Sequence, residues 1–540
     1  MILREKVDAN KLRGGYYTAA HVVDFCVSQV LRMSNETPKR WLEPSAGDGA
    51  FIRGFSNRMV ERDLCGIHLQ SIELIESEAA KCESERLRLG IPGEVVQGSF
   101  FEWAVGSGEP FDAVLGNPPY VRYQFVDESD RALAEQQIGN LGFALRGVSN
   151  LWIPFAVLSI EKLRVGGCFS LVLPGELFST SSGGQFRKYL LENFSSIEID
   201  LFPRGTFSEI LQDVVVVSGK RVSRTAAVRS VRFTEHSYAA KQSWKHRVAV
   251  CSDSWTRFLL TEDELAAFVE AKSLPGFHSL GDIAKVEVSI VTGANKFFTV
   301  SDSEVNDFEL RPWAIPLLAK TIDSPGVVFS QSDFARACEK GSRSWLLDFS
   351  SERPPAHGRG RVSEYLDIGM GQGLQDRYKC RIRDPWYRVP HIKKGTLMLT
   401  KRAHHFHRLL LNSAGVYTTD TIYRGCMNPL YVDRETDLVA TFQNSLTLLS
   451  TEIEGRTYGG GVLELVPSEV ARLSVPLVHS AGLLDEVDLL SREVDGQRDS
   501  TFAVMRFTDN FLCDVIPGYA ELMPNLLTAR NRLQLKRHVV

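Results

Sequence analysis

The stretch Leu115-Gly116-Asn117-Pro118-Pro119-Tyr120 decides the fold of this 540-residue chain. The run that leads into it, Phe111–Leu115, is apolar and predicts a buried parallel strand. Two successive prolines donate no hydrogen bond to a sheet and hold φ at about −65°. They therefore predict a stiff, extended turn that leaves the sheet at Asn117 and presents the Asn117 side chain to a ligand.

The residue types in Asn117-Pro118-Pro119-Tyr120 also suggest a chemistry. The Asn117 side-chain oxygen and the Pro118 carbonyl can each accept an N–H bond from an amino group on a heteroaromatic ring. Such an amino group is a poor nucleophile, and two fixed acceptors stabilise the positive charge that grows as it attacks. Tyr120 offers a ring face for stacking. For the tetrapeptide alone, the alternative is a Pro-Pro surface turn without a catalytic role.

A glycine-rich bend lies upstream, in Glu43-Pro44-Ser45-Ala46-Gly47-Asp48-Gly49. It follows a short predicted strand and precedes the amphipathic segment Phe51–Arg62. Glycines here allow backbone N–H groups to approach a ligand at a helix N-terminus. The bend matches neither a P-loop nor the dinucleotide pattern of glycines. With Glu43 in front, it suits a ligand that carries a positive charge.

Two more predicted strands contribute to the same edge of a parallel sheet. Gln70–Ile75 is predicted to be the second strand, with Glu73 near its end, where a carboxylate can accept ribose hydroxyls. Glu94–Phe101 is predicted to be the third, with Ser99 and Phe100 at its end. The carboxyl ends of parallel strands form the usual ligand crevice of doubly wound folds.

In these motifs the chain resembles the gamma-class, S-adenosylmethionine-dependent DNA adenine-N6 methyltransferases of bacterial restriction–modification systems. Gly14–Thr18, followed by the helical segment Val22–Leu31, is similar to the N-terminal motif of that family. The motif order is also the gamma order. The resemblance implies a set of residues that bind S-adenosylmethionine: Thr18, Glu43, Pro44, Ala46, Gly47, Gly49, Glu73, Ser99, Phe100 and Asn117. Ser99 stands where the family usually has an Asp that bonds the adenine amine of the cofactor.

The resemblance also implies the reaction. A methyl group would pass to the N6 amino group of an adenine flipped out of double-stranded DNA, which protects the site from a separately encoded restriction endonuclease. The implied catalytic residues are Asn117, Pro118, Pro119, Tyr120 and Phe207. Phe207 resembles the second aromatic that stacks on the base, with Phe202 as a weaker candidate.

Three alternatives stay open. The chain contains no Pro-Cys dipeptide, so a thiolate for cytosine-C5 methylation has no candidate. Cytosine-N4 methylation remains possible, although those enzymes more often carry Ser in place of Asn117. Protein glutamine methyltransferases share the Asn-Pro-Pro-Tyr turn but are shorter. A non-catalytic DNA-recognition subunit is the third alternative.

The pattern beyond Tyr120 predicts the rest of a doubly wound, seven-stranded α/β domain over residues 1–240. A helix is expected over Leu151–Leu163, ended by Val165-Gly166-Gly167 as a C-cap. The remaining strands are expected at Phe169–Leu173, Ile197–Phe202 and Gln212–Val217. The polar stretch Lys220–Ser243 is the predicted boundary, and residues 245–540 are expected to form an α+β target-recognition domain with a helical C-terminal part.

The distribution of charge says more than the net charge of −4. Between Asp376 and Arg408 the chain has ten Lys or Arg against two Asp, interleaved with aromatic residues. Such a stretch favours phosphate contacts, with a solvated charged face as the alternative. The residues predicted to bind DNA are Lys393, Lys394, Lys401 and Arg402. Two segments, Val291–Phe298 and Arg456–Gly461, resemble turns in the recognition domains of the same family.

Composition narrows the remaining possibilities. The nine cysteines show no CxxC pair and no metal-type spacing with histidine, which suits a reduced cytosol. The first residues do not resemble a signal peptide, and the longest apolar run, Leu151–Ile160, is too short to span a bilayer. We therefore expect a cytoplasmic, monomeric protein without a metal site.

Overall fold

The computed structural model describes residues 18–61, 66–106, 108–144, 150–203, 206, 214–222, 228–236, 241–250, 254–350, 360–458, 461–493 and 498–537. The chain divides into two compact units, Met1–Glu262 and Asp263–Val540. This division lies beyond the predicted boundary at 240–245. The difference arises because the polar stretch around Lys220–Ser243 belongs to the sheet of the first unit.

The first unit is built on one sheet whose strands follow the order β3-β2-β1-β4-β5-β7-β6-β8-β9. Its strands are β1 (Arg40–Glu43), β2 (His68–Glu73), β3 (Gly93–Gln97), β4 (Phe111–Gly116), β5 (Leu163–Pro174), β6 (Phe194–Leu201), β7 (Val214–Arg221), β8 (Val228–His236) and β9 (Lys241–Ala249). Strands β1 to β5 run parallel, and β7 is antiparallel to both β5 and β6. The carboxyl ends of β1 to β6 and of β8 consequently share one edge.

Helices cover the two faces of this sheet. They are α1 (Ala20–Met33), α2 (Ala50–Glu61), α3 (Glu76–Arg88), α4 (Phe100–Gly106), α5 (Glu128–Gly139), α6 (Trp152–Glu161), α7 (Glu176–Ser179) and α8 (Ser181–Asn193). Helix α1 buries one stripe with helical spacing, which includes Val23 and Val27. A Cβ at Gly54 would lie 2.3 Å from Val23 Cγ1, so glycine is what lets α2 approach α1 closely.

The sheet has nine strands rather than the predicted seven. The two additional strands, β8 and β9, form an antiparallel hairpin at one side of the sheet. In β9 only every second side chain is buried, namely Trp244, His246 and Val248. The charged residues between them made the segment look like a linker, although alternation with period two is typical of a half-buried strand.

Two predicted details before β7 were also wrong. The third strand ends at Gln97, and Phe100 begins α4 instead of closing the strand. Val165-Gly166-Gly167 does not cap a helix, because α6 ends at Glu161 and β5 starts at Leu163. The register of β4 with β5 shifts between Phe111 and Ala113, so these residues form an irregularity within β5. Gly166 has φ +86°, a conformation that glycine adopts without strain.

The second unit mixes short strands with helices. Its strands are β10 (Phe277–Ser279), β11 (Ala284–Glu287), β12 (Thr299–Val300), β13 (Ala314–Leu318), β14 (Val328–Phe329), β15 (Trp345–Leu347), β16 (Leu397–Thr400), β17 (Arg402–Ala403), β18 (Leu409–Asn412), β19 (Tyr417–Thr418), β20 (Ile422–Met427), β21 (Arg456–Tyr458), β22 (Val462–Glu464) and β23 (Ser474–Pro476). The larger sheets have the orders β11-β20-β16-β18-β14 and β12-β15-β13-β19.

The helices of this unit increase in length towards its end. They are α9 (Glu262–Ser273), α10 (Leu280–Ile283), α11 (Asn295–Phe298), α12 (Asp302–Asp307), α13 (Gln331–Glu339), α14 (Arg361–Gly371), α15 (Tyr378–Arg381), α16 (Glu435–Thr441), α17 (Ser445–Glu454), α18 (Pro467–Val470), α19 (Leu483–Glu493), α20 (Arg498–Val515) and α21 (Tyr519–Arg537). Within the ranges given above, no helix is long and apolar enough to cross a membrane. Those same ranges hold no cluster of residues suited to a metal ion.

Trp244 tests whether the β8–β9 hairpin is integral to the first unit. Its side chain is 3% exposed, its ring stacks on Phe233 with centroids 6.1 Å apart, and its Nε1 donates to the Phe258 carbonyl at 2.9 Å. Trp244→Ala is expected to lower the free energy of unfolding by about 3–5 kcal/mol in urea titrations. The exposed neighbour Lys245→Ala should change it by less than about 0.5 kcal/mol. A loss below about 1 kcal/mol for Trp244→Ala would mean that the hairpin is peripheral to the fold.

Candidate active site

Asn117 is held at three atoms where β4 ends. Its Nδ2 donates to Thr18 Oγ1 at 3.2 Å, and its Oδ1 accepts a hydrogen bond from the Tyr120 hydroxyl at 2.8 Å. Its main-chain carbonyl accepts a bond from Ser45 Oγ at 3.0 Å. These contacts join the predicted N-terminal residue, the glycine bend and the Pro-Pro turn. They fix the side-chain amide in one orientation.

The turn also needs the glycine before it. Gly116 has φ +152°, and a Cβ there would lie 3.3 Å from Pro44 Cδ. This approach brings Pro44 of the cofactor loop against the strand that carries Asn117. Pro118 is buried, and Pro119 is half-buried. The two predicted motifs are therefore neighbours in the structure.

Tyr120 is a support for Asn117 as well as a candidate stacking ring. Besides Asn117 Oδ1, its hydroxyl lies 2.9 Å from the Val172 carbonyl on β5. Its ring packs against the core cluster that α1 and α2 form on the sheet. Burial raises the pKa of the Tyr120 phenol well above its usual value, so the hydroxyl keeps its proton. The prediction that Tyr120 stacks on a substrate ring stays a prediction.

Glu43 is a fully buried carboxyl group at the end of β1. Its Oε2 accepts a hydrogen bond from Ser71 Oγ at 3.0 Å, whereas its Oε1 is buried without a hydrogen-bond partner among the described residues. Burial, with a smaller contribution from the carboxylate of Glu73, raises the pKa of Glu43 to about 8. At neutral pH the group is therefore mostly protonated, as expected for a buried carboxyl without a cation beside it.

Glu73 has a structural task that the sequence did not reveal. Its two carboxylate oxygens accept hydrogen bonds from the backbone N–H of Gly47 at 2.8 Å and of Ile75 at 2.9 Å. Gly47 and Gly49 have φ +55° and +85°, so the bend depends on glycine at both positions. Ala46 N–H donates to the Ile72 carbonyl at 2.9 Å. Glu73 thus closes the bend, and each of its oxygens retains a lone pair on which the predicted ribose contact would depend.

At the end of β3 the structure adds a carboxylate that sequence analysis missed. Ser99 Oγ donates to Asp130 Oδ1, and Asp130 lies in the first turn of α5. The position where the family usually has an Asp therefore has one beside it, from a distant part of the chain. Its acidic turn, Asp127–Asp130, was the signal available in the sequence. Phe100 is 3% exposed, and its ring lies 4.5 Å from that of Phe155.

The predicted second aromatic, Phe207, lies outside the described residues. Phe202, the weaker candidate, follows β6 at the same sheet edge. Its ring is parallel to that of His236, with centroids 4.7 Å apart, and meets the Phe25 ring edge-on at 5.2 Å. His236 Nε2 in turn lies 2.8 Å from Asp200 Oδ1. One face of Phe202 is therefore covered by an imidazole.

The four cations predicted to bind DNA fall into two pairs in the second unit. Lys401 and Arg402 both form ion pairs with Glu464, so their charge is partly balanced. Lys393 and Lys394 are exposed. Trp386 and Tyr387, two aromatics of the same stretch, pack in a core cluster instead of lining the surface.

Two family models match the chain. The Eco57I restriction-modification methylase model matches residues 68–207, and the model for the C-terminal domain of the type II methyltransferase M.Eco57I matches residues 252–510. The first includes the Asn117–Tyr120 turn and Glu73, and the second covers most of the second unit.

Curated relatives and solved structures agree with these matches. The type II methyltransferase M.AccI of Acinetobacter calcoaceticus is 22% identical over 84% of this chain and 83% of its own length. M.XamI of Xanthomonas campestris pv. amaranthicola is 22% identical over 86% of both chains. The type IIL restriction–modification enzyme MmeI, solved with DNA, has a TM-score of 0.52 at 12% identity, over 99% of this chain and 79% of its own, a likeness of fold alone. The chain belongs to the gamma-class DNA methyltransferases of restriction–modification systems.

The protonation of Glu43 can be tested through the pH dependence of stability. The folded protein keeps a proton that the unfolded chain releases near the ordinary pKa of 4.5, so this carboxyl destabilises the protein progressively as pH rises from about 4.5 to about 8. Glu43→Gln should remove that dependence. In urea titrations the variant is expected to gain stability over the parent between pH 5 and pH 8.

Glu109, whose side chain is 79% exposed, provides a matched control. Glu109→Gln should leave the difference between pH 5 and pH 8 unchanged. If the stability of Glu43→Gln relative to the parent were the same at both pH values, Glu43 would be ionised in the folded protein and its assigned pKa would be wrong.

Proposed function

We propose that the chain transfers the methyl group of S-adenosylmethionine to the N6 amino group of an adenine flipped out of double-stranded DNA. The modification would protect the site from a separately encoded restriction endonuclease. The observation that carries this proposal is the fixed Asn117 amide at the end of β4, bonded to Thr18, Tyr120 and the Ser45 of the glycine bend. We further propose that the protein acts as a cytoplasmic monomer.

The side chains at the sheet edge fit the proposed cofactor. S-adenosylmethionine supplies a methyl group on a positively charged sulfur and also carries an ammonium group. The buried Oε1 of Glu43, which has no hydrogen-bond partner among the described residues, fits such a ligand, because a cation nearby would ionise the carboxyl and satisfy it. The residues proposed to hold the cofactor are Thr18, Glu43, Pro44, Ala46, Gly47, Gly49, Glu73, Ser99, Phe100 and Asn117, to which we add Asp130 beside Ser99.

Asn117 and Pro118 would act on the amino group of the substrate. The Tyr120 hydroxyl donates to one lone pair of Asn117 Oδ1, which leaves the second lone pair for an N–H of the base. The Pro118 carbonyl would accept the other N–H. As the nitrogen attacks, positive charge grows on it, and preorganised acceptors of this kind contribute about 3–4 kcal/mol each. Neither acceptor is basic enough to keep the proton that the nitrogen then releases, so the proton passes to water.

Flipping the base requires compensation for its lost stacking. Unstacking costs a few kcal/mol, and each aromatic ring that stacks on the base returns about 1–3 kcal/mol. We propose Tyr120 on one side of the base and Phe207 on the other. Phe202 is the weaker candidate for the second position, since His236 already covers one of its faces.

The three alternatives differ in what supports them. Cytosine-N4 methylation would use the same acceptors and is separated from adenine methylation only by experiment. A glutamine methyltransferase would leave the large second unit, Asp263–Val540, without a role. For a non-catalytic recognition subunit, the network that orients Asn117 would serve no purpose. The last two are therefore less well supported.

Replacement of Asn117 tests the mechanism. The chain should be expressed in a host that lacks DNA methylation, and modified bases mapped across the genome by single-molecule sequencing. We expect modified adenines at one recurring sequence. Asn117→Ala should lower the rate of methyl transfer about 100- to 1,000-fold. Its affinity for DNA should stay nearly unchanged, because phosphate contacts dominate affinity.

Asn140→Ala, at an exposed asparagine of the same unit, is the matched control and should retain activity. Modified cytosines would support the N4 alternative. Normal turnover in Asn117→Ala would mean that the assigned mechanism is wrong, and the absence of any modified base would favour a non-catalytic or protein-directed role.

A second test addresses the predicted DNA contacts. Lys393 and Lys394 are exposed, whereas Lys401 and Arg402 share Glu464. Replacing Lys393 and Lys394 by Ala should lower the slope of log affinity against log salt by roughly two, since each phosphate contact contributes about 0.9. Replacing Lys401 and Arg402 should lower it less, because part of their charge is already balanced. Equal effects of the two pairs on the slope would contradict this ranking.

A further inference from the structure

A small surface of the second unit combines exposed apolar side chains with exposed cations. Tyr378 and Ile382 are 65% and 64% exposed, and they occupy the first residue of α15 and the position just after it. Residues four positions apart on a helical turn lie on the same side of it. The exposed cations of this surface are Arg377, Lys379 and Arg381. Large apolar side chains exposed in this way mark an interaction site more often than chance.

The backbone beneath this surface is firmly held. Cys380, in the middle of α15, is completely buried in a core cluster. The Arg383 guanidinium donates to the carbonyls of Thr292 at 2.7 Å and of Val291 at 2.8 Å. Helix α15 is therefore fastened both by its own buried side and by the residue that follows Ile382.

A glycine permits the closest contact. Gly293 has φ +84°, and a Cβ there would lie 2.8 Å from Lys379 Cβ and 3.4 Å from Cys380 Sγ. The turn Val291–Ala294 thus lies directly against α15. On its other side the turn is fixed through Asn295, whose Nδ2 donates to Asp420 Oδ1 at 3.1 Å. This turn is the segment that resembled a recognition-domain turn in the sequence, and its role in the structure is to support α15.

The exposure of Tyr378 is specific within its stretch. Trp386 lies 5.5 Å from the Phe297 ring, and Tyr387 lies 5.5 Å from the Phe349 ring, both within the core cluster. The chain thus buries two of the three aromatics in this region and leaves the third in solvent. Lys379 Nζ lies over the Tyr378 ring, 5.5 Å from its centroid. The exposed ring and the cation are therefore presented together.

We propose that Tyr378 and Ile382 form an apolar wedge that contacts base edges in a groove of double-stranded DNA, while Arg377, Lys379 and Arg381 contact the flanking phosphates. The proposal rests on the proposed function, because DNA is the substrate there. Between Asp376 and Lys394 the chain carries seven Lys or Arg against two Asp, which favours a polyanion over an apolar protein partner. Apolar side chains read thymine methyl groups and insert between base steps, so the wedge would help to set sequence specificity.

Selection from a randomised duplex library tests the wedge, because the selection itself identifies the recognised sequence. The full-length protein is expected to enrich one sequence. Tyr378→Ala and Ile382→Ala should each reduce the preference for the enriched duplex over an unselected one by about 5- to 100-fold. The salt slope of binding should not change, because no phosphate contact is lost. Ile322→Ala, at an isoleucine 77% exposed in the same unit, should behave like the parent.

A double variant, Lys379→Ala with Arg381→Ala, provides the opposite signature. It should weaken all duplexes alike and lower the salt slope by roughly two. Thermal unfolding of every variant should match the parent, which separates a loss of recognition from a loss of folding. The wedge is wrong if Tyr378→Ala and Ile382→Ala keep the parent's preference, if they weaken all duplexes equally, or if the parent binds no duplex.

Transfer of a labelled methyl group to genomic DNA, measured in parallel, separates this proposal from the proposed function. If the parent transfers methyl groups while the two variants keep its sequence preference, the function stands and the wedge is wrong. If the parent enriches a sequence that the variants lose, yet transfers no methyl group, the wedge stands and the function is wrong.

Discussion

The hydrogen bond from the Tyr120 hydroxyl to Asn117 Oδ1 is the contact on which the candidate site depends. An isolated asparagine amide can turn over and exchange its donor for its acceptor. Here Tyr120 occupies the oxygen side, and Thr18 accepts from the nitrogen side, so only one orientation satisfies both. Tyr120 is itself anchored on the neighbouring strand at the Val172 carbonyl. The direction in which the oxygen points is thereby set by the sheet, before any substrate binds.

The same principle accounts for the cofactor loop. Glu73 holds the backbone of Gly47, and Ser45 reaches the carbonyl of Asn117. Three strand ends are thus joined by side chains across the crevice, and the glycines supply a conformation that other residues adopt only with strain. Glu43 differs, since one of its buried oxygens has no partner among the described residues. It is the point at which the preformed network has capacity left for a ligand.

Patterns that depend on neighbouring residues could be predicted from the sequence, whereas contacts between distant residues could not. The strands β1 to β7 and the turn at Asn117 follow from apolar runs and prolines. The hairpin β8–β9 was missed because its polar half resembled a linker, and Gly166 was assigned to a helix end although it serves an irregularity in β5. In the site, Asp130 was missed because it reaches Ser99 through the fold. Composition could not distinguish the paired Lys401 from the exposed Lys393, since both are simply basic.

The hairpin also affects how copies of the protein behave when they are crowded together. Strand β9 is the outermost strand of the sheet, and such a strand can act as a template for another chain. The exposed positions of β9 carry Lys241, Lys245 and Arg247, and the Lys245 amide donates to the Glu262 carboxylate at 3.0 Å. Like charges would meet if two copies approached along this edge, and part of the backbone is already occupied. The residues that disguised the strand in the sequence thus protect the folded protein against fibrous aggregation.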